Sequence, residues 1–119
     1  MVRVKQNEAC PEYYFREGCY ISEWWNTPED PACSIARVRL PKGQTTLPHT
    51  LRGTVERYVL LAGQGVFISE NQKYPVRAGD VVYIPGGTVQ SIENPGSGDL
   101  IFLAICTPRF KENAYEEGK

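Results

Sequence analysis

The sequence predicts an all-β domain, and three observations support this. Short runs rich in Val, Ile, Tyr, Phe and Thr recur along the 119 residues, which is typical of β-sandwiches and barrels. Clusters of Gly, Pro, Asn and Asp separate the runs, and these residues favour turns over continued strands. No run is long enough to favour a helix. We therefore expect a chain of antiparallel hairpins in one domain spanning 1–119.

Nine strands are expected, in the order in which the runs occur. They are 19–25, 33–40, 45–51, 56–62, 65–69, 73–77, 81–85, 88–94 and 100–106. Turn sequences such as PKG at 41–43, GQG at 63–65 and NPGSGD at 94–99 separate them. In the last run, one alternating set ends at Cys106, and we expect that set to face the interior because successive strand residues point to opposite faces.

Both ends of the chain differ from the middle. Trp24 and Trp25 are adjacent in a predicted strand, so they should point to opposite faces, and both faces should be covered. A homodimer interface formed by the N-terminal strands, within 1–32, would supply that cover. The alternative is one tryptophan in the core and one partly exposed. The segment 109–119 is polar, and we expect a capping turn or a frayed tail there.

Composition and charge exclude several classes of function. With 13 Lys and Arg against 14 Asp and Glu, the net charge is -1, which gives no electrostatic reason to expect a nucleic acid or a membrane as partner. No apolar segment approaches the roughly 20 residues that cross a bilayer, and the N-terminus lacks a signal-peptide pattern. We therefore expect a cytoplasmic protein whose four cysteines, Cys10, Cys19, Cys33 and Cys106, are free thiols.

A first spacing of glycines and polar residues lies in the middle of the chain. Five residues separate Gly43 from His49, the only histidine, and Leu51 stands two positions further on. Four residues then precede Glu56, and six more precede Gly63. Each glycine has a local reason to be there, because both fall at turns that enter or leave predicted strands.

A second spacing follows. Five residues separate Gly79 from Pro85, two residues separate Gly87 from Gln90, and three separate Gln90 from Asn94. Together the two spacings resemble the two motifs of the cupin superfamily, over about 33–108. The resemblance implies a double-stranded β-helix, the jelly-roll barrel of that family, with a site inside the barrel.

The resemblance also implies a metal site, with two of its positions changed. Family members that bind metal generally use three histidines and one glutamate, at the positions that here are His49, Leu51, Glu56 and Gln90. Imidazole and carboxylate are good ligands for divalent transition metals, whereas a glutamine carbonyl is a weak one. A metal held by His49, Glu56 and Gln90 would bind weakly and keep open coordination positions.

Two interpretations without a metal remain open. His49 and Glu56 can act as general acid and base toward a small ligand, because a buried carboxylate orients an imidazole and fixes its tautomer. Alternatively, His49, Glu56 and Gln90 satisfy one another as an inert network. Tyr58 shares the face of Glu56, and Cys106 is expected to face the interior, so both are candidates for contacting a ligand or cofactor.

The sequence therefore predicts a cupin that binds a small molecule inside its barrel. The preferred function is an enzyme that uses a weakly held divalent transition metal and acts on a small polar metabolite, such as a sugar or a carboxylic acid. The alternative is a non-enzymatic ligand-binding or structural cupin with a degenerate metal site. The fold leaves the reaction class open, because one fold hosts many unrelated reactions.

Overall fold

The computed structural model describes residues 1–8 and 10–118, which form eleven β-strands. The strands are β1 (Tyr13–Phe15), β2 (Cys19–Trp25), β3 (Ser34–Leu40), β4 (His49–Leu51), β5 (Val55–Ala62), β6 (Gln64–Ser69), β7 (Gln72–Arg77), β8 (Val81–Ile84), β9 (Ser91–Glu93), β10 (Leu100–Thr107) and β11 (Tyr115–Glu117). One turn of 3-10 helix, Glu112–Ala114, precedes β11. The expected all-β architecture is confirmed. Within the described residues, no helix has the length and apolar character that crossing a membrane requires.

Two antiparallel layers enclose the interior. The first is a six-stranded sheet in the order β1-β2-β3-β10-β5-β8. The second consists of β7-β6-β9 and β11-β4. These two parts are joined where His49 and Gln90 exchange two backbone hydrogen bonds, with N to O distances of 3.0 and 2.8 Å. The result is the expected jelly-roll barrel.

Most neighbours in the first sheet are distant in the sequence. Strand β10 lies between β3 and β5, so Phe102 sits opposite both Val38 and Leu60. Consecutive strands pair at β1–β2, β2–β3 and β6–β7. The expectation of successive hairpins along the whole chain is therefore wrong. In a jelly roll the chain crosses between layers, so strands that follow one another often lie in different sheets.

Alternation along the strands places the core. Strand β10 buries Phe102, Ala104 and Cys106 and leaves the residues between them half-buried, as the alternation predicted. The Tyr58 ring of β5 lies 4.3 Å from Phe102 and 5.9 Å from Phe67 of the other layer, between ring centroids. Burying each large apolar side chain stabilises the fold by about 1.5–3 kcal/mol.

A second apolar cluster includes the C-terminal segment. Its buried members are Phe15, Leu51, Cys106 and Tyr115. Tyr115 lies opposite Leu51 in the β11–β4 pair, and its ring meets the edge of Phe15 at 5.1 Å. The expectation of a frayed tail is therefore wrong for 112–117, because burial of one aromatic ring anchors this polar segment.

Trp24 and Trp25 do not follow the alternation that predicted a strand covered on both faces. The register between β2 and β3 shifts between Glu23 and Trp25, so Trp24 is the extra residue of a β-bulge. The Trp25 indole N–H donates to Asp30 at 2.8 Å, and the Arg3 guanidinium lies 5.2 Å from the ring centroid. Both tryptophans are half-buried in the chain, so neither is the fully buried core residue that the alternative expected.

Two strands are shorter than predicted. The run 45–51 forms a strand only at its end, with Thr45 in an isolated bridge, and the run 88–94 is reduced to its centre. Pro48 interrupts the first run because it has no N–H to donate to a neighbouring strand. The short β4 nevertheless keeps His49 in the ladder with Gln90.

Gly63, between β5 and β6, has no room for a side chain. Its φ is +87°, and a Cβ atom would lie 2.6 Å from the backbone oxygen of Asp99. Gly43 is a natural comparison, since its φ is +77° but a Cβ atom there would meet no other atom within 4 Å. The first glycine is required by both conformation and space, and the second by conformation alone.

We predict that Gly63→Ala lowers the free energy of unfolding by clearly more than Gly43→Ala does. The control variant should lose about 1–2 kcal/mol through its left-handed backbone alone. The Gly63 variant has the same backbone strain, and its added methyl group also clashes with the backbone oxygen of Asp99, which must move. Urea denaturation of both variants measures the difference, and equal losses would contradict this account of the β5–β6 turn.

Candidate functional site

Strands β4 and β5 bring the central residues into the barrel from opposite layers. His49 and Leu51 share one face of β4 and are 2% and 3% exposed. Glu56 lies on β5 in the six-stranded sheet, where it pairs with Cys106 of β10. The two polar groups therefore approach the interior from different sheets.

The structure brings four of the five predicted site residues to one cavity. His49, Glu56, Tyr58 and Cys106 all line it, and its volume is about 50 Å³. A space of this size holds on the order of four water molecules. A compact metabolite of comparable size would fit, whereas anything larger would have to extend out of the cavity.

The cavity adjoins a wider basin at the surface. Tyr13, Phe15, Glu23 and Phe110 line both. The Tyr13 hydroxyl donates to the Glu23 carboxylate at 3.1 Å, so this hydrogen-bonded pair lies at the boundary between basin and cavity. A ligand that enters from this basin passes these four side chains.

Gln90, the fifth predicted residue, does not line the cavity. Its side-chain oxygen accepts a hydrogen bond from the Tyr58 hydroxyl at 2.7 Å, and the residue is 1% exposed. Its backbone is bonded to His49. Gln90 therefore holds Tyr58 through its side chain and His49 through its backbone, and does not itself line the cavity.

Glu17 is a site residue that the sequence did not reveal. It lies in the turn between β1 and β2, is 8% exposed, and lines the cavity. Its Oε1 lies 3.6 Å from His49 Nε2. Its backbone oxygen accepts from the Leu47 N–H at 2.7 Å, which holds the turn beside β4. A single glutamate before a glycine carries no sequence signal, so only the packing of this turn could identify it.

The orientation of His49 is set by its own backbone neighbourhood. Nδ1 lies 2.8 Å from the Leu47 carbonyl oxygen, and a carbonyl can only accept, so Nδ1 carries the hydrogen. In the neutral ring Nε2 is then the free acceptor, directed toward Glu17. The imidazole is thus prepared to take a proton at Nε2.

Glu56 is a carboxyl group that keeps its proton near neutral pH. The pKa of Glu56 is raised from 4.5 to about 8, mainly by burial and further by the charge of Glu17, while the neighbouring side chains of Gln90 and Cys106 partly offset the rise. Burial also raises the pKa of Glu17, against the lowering effect of His49. Two coupled carboxyls beside one imidazole are the arrangement that proton-transfer sites use.

Two buried polar atoms in the cavity wall have no hydrogen-bond partner among the described residues. They are Oε1 of Glu56 and the hydroxyl of Tyr115. Leaving such a group unsatisfied costs about 1–3 kcal/mol, and native proteins keep few of them. Tyr115 is the second residue that the sequence did not reveal, since it lies in a polar segment without strand character.

The metal site implied by the resemblance is not assembled. Gln90 offers its carbonyl oxygen to Tyr58, and Leu51 supplies no ligand atom. Burial raises the pKa of the Cys106 thiol, so it keeps the proton that it must lose to bind a metal. Within the residues described, no three His, Cys, Asp or Glu side chains form a group that could hold a metal ion.

Comparison with known proteins identifies the family. Residues 36–106, more than half of the chain, match the cupin domain family. The chain is a cupin. The match lies inside the region whose two spacings predicted it, so the resemblance is confirmed.

Proteins similar to this cupin carry different functional names. An oxalate-binding protein of Thermotoga maritima is 43% identical over 71 residues, which are 60% of this chain and 59% of that relative, so the chain spans about three fifths of its length. A crystal structure from the same organism, of a predicted oxalate decarboxylase, is 28% identical with a TM-score of 0.80, over 89% of this chain and 99% of that one. Pac13 of Streptomyces, a nucleoside dehydratase, has a TM-score of 0.82 at 18% identity, over 100% of this chain and 92% of that one, and shows the fold alone.

We predict that the stability of this cupin falls as the pH rises from about 5 to about 8. The folded protein holds a proton on Glu56 that the unfolded chain has already released above pH 4.5, so raising the pH favours unfolding by up to about 1.4 kcal/mol per pH unit. Above the folded pKa both states are ionised and the slope disappears. Urea denaturation across this range measures the slope.

The matched variants are Glu56→Gln and Glu70→Gln. The first removes the buried titrating group, so its slope should be shallower than that of the parent, with a remainder due to Glu17. The second removes an exposed carboxyl and should follow the parent. Parallel curves for all three proteins would contradict the raised pKa of Glu56.

Proposed function

We propose that this cupin binds a small uncharged polar metabolite in its barrel and transfers protons on it without a metal. The observation that carries the proposal is the presence of a histidine and two buried carboxyl groups in one cavity. Glu17 and His49 form one centre, 3.6 Å apart. Glu56, with an unpartnered buried oxygen, forms the other on the opposite layer.

The three residues have distinct roles. Nε2 of His49 takes a proton from the ligand, and Glu17 stabilises the imidazolium that forms. The protonated Glu56 donates its proton to an oxygen of the ligand. For a hydroxycarbonyl compound this produces a neutral enediol. The isomerisation is completed when the His49 imidazolium gives its proton to the neighbouring carbon and the Glu56 carboxylate takes the proton of the other hydroxyl, which restores both side chains. General acid and base catalysis of this kind contributes about 10² to 10⁴ in rate.

The charge of the cavity favours an uncharged ligand over a dianion such as oxalate. Glu17, Glu23 and Glu56 line it, and among the described residues no lysine or arginine does. A dianion in this wall would face carboxyl groups without a compensating cation. Sequence similarity to an oxalate-binding protein therefore supports binding of a compact, oxygen-rich molecule, while the side chains favour a neutral one.

The second candidate is a cupin that binds a ligand without transforming it. The hydrogen bond between Tyr58 and Gln90 favours this alternative, because it shows that part of the polar interior is satisfied by packing alone. Both candidates share the cavity and the bound molecule. They differ in whether His49 and Glu56 move protons.

We predict that the parent protein catalyses exchange of the C–H protons of dihydroxyacetone in deuterated water, followed by NMR. His49→Gln removes the base and should lower the rate by about 10² or more. The control is Thr50→Ala, the next residue along β4, on the opposite face of the strand. Binding of dihydroxyacetone without exchange would favour the non-enzymatic candidate.

The same preparation separates a metal-free site from a metal-dependent one. Activity should survive dialysis against a chelator, and elemental analysis of untagged protein should find no stoichiometric divalent metal.

Glycolamide and glycolate, which match in size and differ in charge, test the ligand class, and we expect glycolamide to bind more tightly. Activity that needs a metal, or a clear preference for glycolate, would overturn the proposal.

We also propose that this cupin forms a homodimer through the edge strand β1. Tyr13 and Tyr14 are 42% and 63% exposed, and within the described sheet β1 pairs with β2 alone. Its outer edge leaves backbone groups ready to pair with another strand. The apolar side chains of Val2 and Val4, just ahead of β1, are also exposed, and a second copy would cover this surface.

We predict that the full chain sediments at twice the mass of one chain at micromolar concentration. Val4→Lys combined with Tyr14→Lys should produce monomers, because charge on both would oppose burial of this edge. Leu61→Lys, which alters a residue of comparable exposure on β5, should leave the dimer intact. A monomeric parent would refute the interface.

A further inference from the structure

We propose that Tyr115 is a ligand-binding residue, whose hydroxyl donates a hydrogen bond to an oxygen of the molecule bound in the barrel. This inference rests on the proposed function and adds a fourth side chain to it. It also assigns a role to the C-terminal strand β11, which completes the wall of the cavity.

The position of the hydroxyl carries the inference. Tyr115 is 7% exposed and lines the cavity together with His49 and Glu56. Its hydroxyl is buried and has no partner among the described residues. Tyrosine hydroxyl groups usually find a hydrogen-bond partner when they are buried. A buried hydroxyl without a partner, on a residue that lines a cavity, is available to a ligand.

The ring of Tyr115 is held in place by its neighbours. The Tyr115 ring stacks on His49, with centroids 5.0 Å apart and planes 21° apart. The Arg16 guanidinium lies 4.3 Å from the ring centroid, and Phe15 meets the ring edge-on at 5.1 Å. These contacts fix the aromatic plane, and none of them uses the hydroxyl.

Strand β11 is itself firmly attached to the barrel. Arg16 forms ion pairs with Glu112 at 2.6 Å and with Glu117 at 3.4 Å. Arg52 reaches Glu116 at 2.7 Å. These ion pairs are exposed and add little by themselves, but β11 is also paired with β4 through its backbone, so the backbone on both sides of Tyr115 is held.

The chemistry of the two unpartnered atoms defines the ligand. Burial raises the pKa of Tyr115, with Glu17 and Glu117 adding to the effect, so the hydroxyl keeps its proton and donates. Glu56 is protonated near neutral pH and accepts from the Cys106 thiol through Oε2 at 3.8 Å, which leaves Oε1 to face the ligand. A molecule with two oxygen acceptors, such as a hydroxycarbonyl compound, can accept one hydrogen bond from the Tyr115 hydroxyl and one from the protonated Glu56 carboxyl.

The test compares three tyrosine-to-phenylalanine variants with glycolamide as the probe. Tyr115→Phe keeps the stacked ring and removes only the unpartnered hydroxyl. We expect glycolamide to bind about tenfold more weakly, the loss of one hydrogen bond, while the ligand-free variant melts at or above the temperature of the parent. Tyr14→Phe, on the exposed edge strand, should bind glycolamide as the parent does.

Tyr58→Phe supplies the stability reference. Its hydroxyl is bonded to Gln90, so its removal leaves a buried acceptor unsatisfied, and we expect the melting temperature to fall by several degrees. If Tyr115→Phe binds glycolamide as tightly as the parent, or melts as low as Tyr58→Phe, the hydroxyl has a structural role and the inference is wrong. A parent that binds none of the small probes overturns the proposed function, and the role of Tyr115 with it.

Discussion

Two backbone hydrogen bonds between His49 and Gln90 join the two parts of the second barrel layer, and the site depends on them. They tie the short strand β4, and through it β11, to the β9–β6–β7 sheet. That connection turns His49 toward the six-stranded sheet, from which Glu56 approaches. It also places Tyr115 over His49, because β11 pairs with β4 alone in the described sheet. Further backbone hydrogen bonds, from Thr46 to Ile92 and from Gly87 to Leu51, hold the same segments together.

Desolvation decides what the site can do. Glu17 and Glu56 are removed from water, and in the described residues no lysine or arginine compensates them within the cavity. Burial then favours the neutral form of each carboxyl, so one of them holds a proton where an exposed glutamate would be ionised. The same pair of residues in a solvated groove would be a weak cation site. In this barrel, burial keeps a proton on Glu56 near neutral pH.

The family and the site give different information about function. Membership in the cupins establishes the barrel and the two motif spacings, and similar proteins range from an oxalate binder to a nucleoside dehydratase. Leu51 and Gln90 occupy motif positions without supplying metal ligands, and Glu17 enters from outside both motifs. Function has to be argued from the side chains that meet in the cavity.

The sequence by itself determined the fold and part of the site. The motif glycines predicted the turns, and alternation along β10 predicted that Cys106 faces inward. Placing His49, Glu56 and Tyr58 inside the barrel needed only the motif spacing and strand geometry. The face of the strand on which each of these side chains lies follows from its neighbours, since successive strand residues point to opposite faces.

Only the tertiary structure decided the rest. Glu17 reaches His49 because the β1–β2 turn packs beside β4, and Tyr115 reaches it because a polar segment returns to form β11. The bulge at Trp24 and the bond between Gln90 and Tyr58 likewise depend on strands that are distant in sequence. Such contacts are set by long-range pairing and burial, which no local pattern of residues encodes.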